Sequence, residues 1–336
     1  EEHAMNPVRV GSGSFQYEVD ERWAKYPAVG PAGEAVGVAC DSKDRVYIFL
    51  RGPQPIQVFE RDGTPVTGWG EQDFTRPHGI FIGKDDTLYC SDDFGHCVRA
   101  FATDGKPRMT LGTPGKPSDT GATSIDYRTI KQSGPPFNFP CNLAIGPAGD
   151  LFVADGYGNA RVHRFTPDGR LLKSWGEPGS GPGQFHVVHG IAVDKEGTVY
   201  IADRENLRVQ LFNSDGKYLG EWTDIARPCQ VFIDPAGSVY VAELGFRAGR
   251  WPGTGSPQPG QTGGRVSIFE RQGKLQARWG GGENPTAPGD FFAPHDIWVD
   301  SHGDIYVAEV ALAGGARAGL VAGSCHTLQK FVKVAK

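Results

Sequence analysis

The chain of 336 residues contains only two methionines and has no apolar run long enough to span a membrane as a helix. It also has no excess of basic residues, because 34 lysines and arginines stand against 39 acidic residues and give a net charge of −5. A nucleic-acid-binding protein usually carries a basic surface, so this balance argues against nucleic acid as a partner. We therefore expect neither nucleic acid nor membrane, but a small-molecule or short peptide-like substrate.

The six cysteines lack the paired spacing of a zinc finger or of a disulfide framework. Only Cys90 and Cys97, which flank a hairpin, are placed so that they could form a disulfide. No signal peptide is recognisable ahead of the first strands. These features favour a cytoplasmic location, and we expect a monomer.

Glycine and proline are abundant, with 48 and 25 residues, and favour many tight turns over long helices. The chain divides into six related units, of which LFVADGYGNARVHRF (151–165) and VYIADRENLRVQLF (199–212) are two clear copies. Each unit begins with a short apolar run and continues with alternating apolar and polar residues separated by turns such as DG. The pattern predicts four antiparallel strands per unit.

Units of about 40 residues with four short strands are typical of propeller blades, because one small sheet cannot bury both of its faces alone. The sequence therefore predicts an all-β fold, a six-bladed β-propeller. The last unit has only three strands, and FQYEVDERW (15–23) is predicted to supply the fourth and close the ring. We divide the chain into an N-terminal tail, 1–14, and a single propeller domain, 15–336.

Three histidines occupy one equivalent position in every second unit, namely His78, His189 and His295. The units between them carry Val36, Cys141 and Cys229 at that position. One such histidine alone is more often a packed or turn residue than a ligand. Alternation around a closed ring, however, predicts that three imidazoles converge on the central axis and bind a metal ion. Three imidazoles leave a fourth zinc position open, which is the pattern of a catalytic site.

Three long insertions, 113–139, 245–264 and 310–324, fall on the face of the ring where the histidine-bearing strands begin. Loops of more than a dozen residues are usually functional or disordered. We therefore expect these insertions to form a substrate rim around the channel.

Several segments together resemble the peptidyl-α-hydroxyglycine α-amidating lyases, which are six-bladed propellers of the NHL-repeat class. These segments are GVACDSKDRVYIFLRG (37–52), PHGI (77–80), ADGYGNARV (154–162), ADRENLRVQLF (202–212) and PHDI (294–297). The resemblance covers roughly residues 36–310. It departs from the family's animal members at Gly158, where they have a cysteine, and at Ala293, where they have a methionine. The resemblance does not include a monooxygenase domain within these 336 residues.

The resemblance implies roles for individual residues. It implies that His78, His189 and His295 hold a catalytic zinc ion, that Tyr157 acts as the base and that Arg51 orients the substrate. It further implies a structural calcium ion between blades, held by Asp296 and by the backbone carbonyls of Val38 and Ile80. Read without the resemblance, Tyr157 could equally be a packing residue, and Arg51 could pair with Glu243 or Glu309.

These features favour a zinc-dependent C–N lyase that cleaves a carbinolamide-type substrate, such as an N-substituted α-hydroxyglycine, to glyoxylate and an amide. Two alternatives stay open. One is a zinc-dependent hydrolase or hydratase in which metal-bound hydroxide attacks a different small molecule. The other is a non-catalytic NHL binding scaffold.

Overall fold

The structure is a computed structural model that describes residues 7–25, 33–250 and 257–335. Within these residues the chain forms six antiparallel blade sheets and one additional pair of two-residue strands. The first strand of each blade contacts the first strand of the next, and that of blade 6 contacts that of blade 1. The predicted all-β six-bladed propeller is therefore confirmed.

The first three blades have these strands: Glu34–Cys40, Val46–Arg51, Ile56–Phe59 and Pro65–Trp69 in blade 1; Pro77–Ile82, Leu88–Asp92, Cys97–Phe101 and Pro107–Leu111 in blade 2; Pro140–Ile145, Leu151–Asp155, Arg161–Phe165 and Leu171–Trp175 in blade 3. The next two have Val188–Val193, Val199–Asp203, Arg208–Phe212 and Tyr218–Trp222 in blade 4, and Pro228–Ile233, Val239–Glu243, Arg265–Phe269 and Leu275–Gly280 in blade 5. Blade 6 has Pro294–Val299, Ile305–Glu309, Leu328–Lys333, Phe15–Asp20 and Arg9–Ser12.

The remaining elements are short. Glu177–Pro178 pairs in parallel with Gln184–Phe185 between blades 3 and 4. The helical segments are the 3-10 turns Tyr127–Thr129, Arg204–Asn206 and Ala316–Ala318 and the α-helical turn Ala311–Gly314. No helix in the described part of the chain has the length and apolar character needed to cross a membrane.

The N-terminal segment closes the ring as predicted, because Phe15–Asp20 pairs antiparallel with Leu328–Lys333. The expected tail needs a correction, since Arg9–Ser12 forms a further strand that pairs with Phe15–Asp20. The pairing of Ser12 with Phe15 leaves a two-residue hairpin loop in which Gly13 has a positive φ of 57°. Such loops favour glycine because their backbone conformation requires positive φ.

Tryptophans that close one blade pack against the glycine of a tight turn in the next blade. The pairs are Trp69 with Gly105, Trp175 with Gly216, Trp222 with Gly273 and Trp23 with Gly63. Gly273 has φ +87°, and a Cβ added to it would lie 2.5 Å from Nε1 of Trp222. Glycine is therefore required both by the turn and by the close approach of the indole.

All six cysteines are free and buried. Cys90 lies opposite Arg99, and Cys97 lies opposite Asp92, so the two cysteines are not paired across their neighbouring strands. The disulfide that the sequence allowed between them is absent.

Candidate metal centre

His78, His189 and His295, here called the histidine triad, meet on the axis of the ring. Each is the second residue of the first strand of its blade, in blades 2, 4 and 6. Their ring centroids lie 4.7–4.8 Å apart, and one nitrogen from each ring lies within 4.8 Å of the others. No other group of three or more His, Cys, Asp or Glu side chains that could hold a metal ion occurs in the described residues. The convergence predicted from alternation is thus present in the structure.

The carbonyls of the intervening blades fix the orientation of all three imidazoles. Each histidine donates a hydrogen bond from Nδ1 to the backbone oxygen of the equivalent residue in the next blade. The pairs are His78 with Cys141 at 2.7 Å, His189 with Cys229 at 2.7 Å and His295 with Val36 at 2.6 Å. Since a carbonyl oxygen only accepts, Nδ1 must carry the proton, and the lone pair of Nε2 is left directed at the axis.

The surroundings keep the histidine triad neutral. Burial, followed by the charges of neighbouring groups, lowers the pKa values of His78 and His189 well below the usual range. Burial and the charge of Arg51 lower the pKa of His295 to about 3. Neutral imidazoles with inward lone pairs are the form that binds a metal ion, so the donor set fits zinc.

Tyr157 reaches the histidine triad from blade 3. Its hydroxyl lies 3.0 Å from Nε2 of His189 and 3.3 Å from Nε2 of His78. Burial is the main reason that its pKa is raised to about 12, while the positive charge of Arg204 acts in the opposite direction. The tyrosine expected at the site is therefore in contact with the Nε2 atoms of two of the three histidines.

Arg204 is a site residue that the sequence reasoning missed. Its Nη1 donates to the Tyr157 hydroxyl over 3.1 Å, and its Nε donates to Glu205 over 2.9 Å. The backbone N–H of Arg204 donates to the carbonyl of Val187, two residues before His189. In blade 1, Arg51 lies opposite Glu34, two residues before Val36. The two arginines therefore occupy equivalent places in their blades. Aligning VYIFLR (46–51) with VYIADR (199–204) would have placed Arg204 in the same position as Arg51.

Arg51 is partly buried beside the first strand of blade 2. Its Nη1 donates to Glu34 over 3.1 Å, and its Nε donates to the carbonyl of Pro77 over 3.1 Å. The alternative pairing with Glu243 or Glu309 is wrong, because Glu243 accepts from Arg265 and Glu309 from backbone N–H groups of blade 6. Arg51 lies in the same charged region as Arg204.

Seven charged residues lie near the starts of the first strands or the ends of the second strands, on the side of the ring where the histidine-bearing strands begin. We call them the charged mouth. They are Glu34 and Arg51 of blade 1, Arg76 and Asp93 of blade 2, Arg204 and Glu205 of blade 4, and Arg227 of blade 5. Their ion pairs are Arg51 with Glu34, Arg76 with Asp93, and both Arg204 and Arg227 with Glu205.

The three long insertions contact this region. Tyr127 of the first insertion packs in one cluster with Tyr157. Carbonyls of Gly245 and Ala248, at the start of the second, accept hydrogen bonds from Arg227. Backbone N–H groups of residues 312 and 313, in the third, donate to Glu34. The insertions therefore lie on the face expected for a rim, although residues 251–256 fall outside the described part of the chain.

Asp296 directly follows His295 in the chain, but its side chain is not part of the histidine triad. Its carboxylate accepts the backbone N–H of Val38 over 3.0 Å and that of Ile297 over 2.9 Å. Asp296 forms no ion pair within the described residues, and burial raises its pKa to about 8. Ile80 is also near, since a Cβ added to Gly37 would contact both Asp296 and Ile80. A buried carboxylate without a cationic side-chain partner fits a bound cation, and the calcium site stays a prediction.

Comparisons with known proteins agree with this fold. The NHL repeat family profile matches residues 185–212. NHL repeat-containing protein 3 of Homo sapiens is 32% identical over 312 residues, which cover 88% of this chain and 81% of that protein. Peptidyl-alpha-hydroxyglycine alpha-amidating lyase 1 of Drosophila melanogaster is 30% identical over 302 residues, which cover 80% of this chain and 50% of the lyase.

Among solved structures, a gluconolactonase from Xanthomonas campestris superposes with a TM-score of 0.61 at 12% identity. The match covers 98% of this chain and 95% of the gluconolactonase, and it shows a common fold. The chain spans only half the length of the Drosophila lyase but most of the human protein. The chain therefore belongs to the family of NHL repeat-containing protein 3, and it is a six-bladed NHL-repeat propeller similar to the amidating lyases.

Proposed function

We propose that this protein is a zinc-dependent lyase that cleaves the C–N bond of a carbinolamide-type substrate, such as an N-substituted α-hydroxyglycine. The observation that carries the proposal is the set of three Nδ1 hydrogen bonds to backbone carbonyls, which leaves three neutral Nε2 donors facing one point. The similarity to a protein named as an amidating lyase supports the choice of reaction.

Arg51 would bind the carboxylate on the carbinol carbon. Its guanidinium is held by Glu34 and by the Pro77 carbonyl, and its planar fork matches a carboxylate in geometry. This contact would orient the adjacent carbinol carbon toward the histidine triad. The substrate is accordingly expected to be a small molecule or a short peptide, and the enzyme to act as a monomer.

A zinc ion held by the histidine triad would act as a Lewis acid and favour loss of the substrate's hydroxyl proton. Tyr157 is placed to take that proton, because its hydroxyl lies within hydrogen-bonding distance of the triad. Arg204 donates to the same oxygen and so favours the deprotonated phenol.

As the C–N bond breaks, the hydroxyl oxygen becomes the aldehyde oxygen, and the electron pair of the C–N bond leaves with nitrogen. Tyr157 can then return the proton to that nitrogen, so the products are glyoxylate and a neutral amide. No water is consumed. A hydrolase would instead add an oxygen atom from water to a product.

The experiment is a glyoxylate assay on a peptidyl α-hydroxyglycine in ¹⁸O-labelled water, with rapid trapping of the aldehyde. The lyase proposal predicts metal-dependent glyoxylate release with unlabelled oxygen at the earliest times. Immediate stoichiometric label would favour the hydrolase, and no reaction with the zinc-loaded protein would favour the scaffold.

A matched pair of variants separates the loss of metal binding from a general loss of folding. His189→Gln removes one triad nitrogen and is expected to abolish zinc retention and turnover. His163→Gln is the control, because His163 is fully buried and binds Asp155 at the position where blade 4 has Gln210. Wild-type activity of His189→Gln would contradict the proposal.

We also propose that Asp296 binds a calcium ion together with the backbone carbonyls of Val38 and Ile80. Its buried carboxylate and the absence of an ion pair within the described residues support this site. Calcium prefers oxygen ligands of this kind. Such an ion would link the inner strands of blades 1, 2 and 6.

A further inference from the structure

The charged mouth contains more positive charge than the proposed reaction requires. Four arginines stand against three carboxylates, so one positive charge is not balanced within the group. Three of the arginines are held by several partners. Arg227, for example, binds Glu205 and the carbonyls of Gly245, Ala248 and Gly249.

Arg76 differs from the other three arginines. Its Nη2 lies 2.8 Å from Asp93, and its guanidinium carbon lies 4.1 Å from the centre of the Phe94 ring. Its buried Nε has no hydrogen-bond partner within the described residues. The side chain of Arg76 is 23% exposed, against 16% for Arg51, 6% for Arg204 and 5% for Arg227. Arg76 therefore has the most exposed side chain of the four arginines in the charged mouth.

The position of Arg76 places its charge beside the proposed substrate site. It precedes Pro77, whose carbonyl accepts from Arg51, and it is two residues before His78. Burial, and then the charge of Arg76, lower the pKa of Arg51, so the two guanidinium groups are close enough to repel one another. Each of the two guanidinium groups has one protein carboxylate, Glu34 for Arg51 and Asp93 for Arg76. A further anionic group placed between the two cations would be attracted to both of them.

Phe94 adds an apolar surface to this cationic position. Its ring is 40% exposed, packs edge-on against Phe139 at 5.5 Å and lies under the guanidinium of Arg76. A guanidinium held on an aromatic ring keeps its plane fixed while its edge remains free to donate. Phe94 and Arg76 together thus offer an apolar ring face next to a cation that can donate hydrogen bonds.

We propose that Arg76 is a specificity-determining residue that binds a second acidic group of the substrate. This inference rests on the proposed function, in which Arg51 takes the carboxylate of the hydroxyglycine. The favoured substrates are then dianions that carry one carboxylate on the carbinol carbon and another on the acyl side of the amide. The short acyl chain between them lies on Phe94.

The test compares two substrates of equal acyl length, the dianion N-succinyl-α-hydroxyglycine and the monoanion N-butanoyl-α-hydroxyglycine, whose acyl group is uncharged. Wild-type protein loaded with zinc is expected to favour the succinyl compound by about tenfold or more in kcat/KM, as one charge-assisted hydrogen-bonded contact allows. Arg76→Gln should reduce this ratio to about one. Arg108→Gln, in the outer strand of the same blade, is the matched control and should leave the ratio unchanged.

A second variant keeps the test informative if Arg76→Gln does not fold. Asp93→Asn removes the carboxylate that competes for Arg76, so it should increase the preference for the succinyl compound. An unchanged or smaller preference would contradict the role of Arg76.

Equilibrium binding separates this inference from the proposed reaction. N-succinylglycine and N-butanoylglycine lack the reactive hydroxyl, and calorimetry on the zinc-loaded protein measures their affinities without turnover. Tighter binding of the succinyl compound, lost in Arg76→Gln, would support the inference even if no glyoxylate were formed. Turnover of both hydroxyglycines with equal kcat/KM would overturn the inference and leave the lyase proposal standing.

Discussion

Replacing Tyr157 with phenylalanine removes one hydroxyl and retains the aromatic ring. That hydroxyl is in contact with His189 at 3.0 Å, His78 at 3.3 Å and Arg204 at 3.1 Å. The ring packs with Cys141 and Val187, and these contacts persist in the variant. A general-base role predicts a loss of turnover of about 10²–10⁴-fold. Zinc content should be unchanged, since the three ligand nitrogens remain.

The ionisation of Tyr157 gives a second readout. Burial raises the pKa of Tyr157 to about 12 in the metal-free protein, so the phenol is protonated at neutral pH. A bound zinc ion favours the phenolate and should lower this pKa. Ultraviolet titration of zinc-loaded and metal-free protein measures the difference, which Tyr157→Phe should abolish.

The control for Tyr157→Phe is Tyr200→Phe. Tyr200 is also buried, but its hydroxyl donates to Asp194 at a turn outside the charged mouth. Each substitution removes a buried, hydrogen-bonded hydroxyl and should cost about 0.5–1.5 kcal/mol of unfolding free energy per hydrogen bond lost. Only Tyr157→Phe should reduce glyoxylate release. Wild-type turnover in Tyr157→Phe would refute the assigned role.

Three further predictions concern other residues. Arg51→Lys keeps the charge but loses the planar fork, so kcat/KM should fall by about tenfold or more, mainly through a higher KM in steady-state assays. Asp296→Asn should abolish the increase in Tm that calcium gives the chelator-treated wild type, and a wild type without that increase would argue against the site. The histidine triad is neutral when folded but takes up protons below about pH 6.5 when unfolded. The unfolding free energy of the metal-free protein should therefore fall as pH decreases from about 6.5 toward 3, with a shallower slope in His189→Gln by denaturant titration.

Most of the fold could be predicted from the sequence because each blade repeats the same local pattern. Alternating strands recur in all six units, a DG or QG turn recurs in five of them, and a missing strand in the last unit pointed to Phe15–Asp20. The strand Arg9–Ser12 was not predicted, because its four residues are mostly exposed and carry little apolar pattern. Its position depends on pairing with a strand that itself depends on ring closure.

The histidine triad was predictable because alternate blades of a closed ring repeat every third of a turn. What fixes the imidazoles was not, since the acceptors are backbone carbonyls of residues 36, 141 and 229. Any residue at these positions supplies the same backbone oxygen, whatever its side chain. The ion pairs of the charged mouth were missed for a related reason. Arg227 of blade 5 and Glu205 of blade 4, for example, are brought together only by the packing of the two blades.

The measurement that tests the central claim most directly is a zinc titration of chelator-treated protein, with bound metal and glyoxylate release followed in the same samples. The account predicts that activity on a peptidyl α-hydroxyglycine is absent without metal and rises to a plateau at about one zinc ion per chain bound by three nitrogens. His163→Gln should follow the same curve, and His189→Gln should show neither tight binding nor activity. Full activity in metal-free protein, or tight stoichiometric zinc binding that persists in His189→Gln, would contradict it.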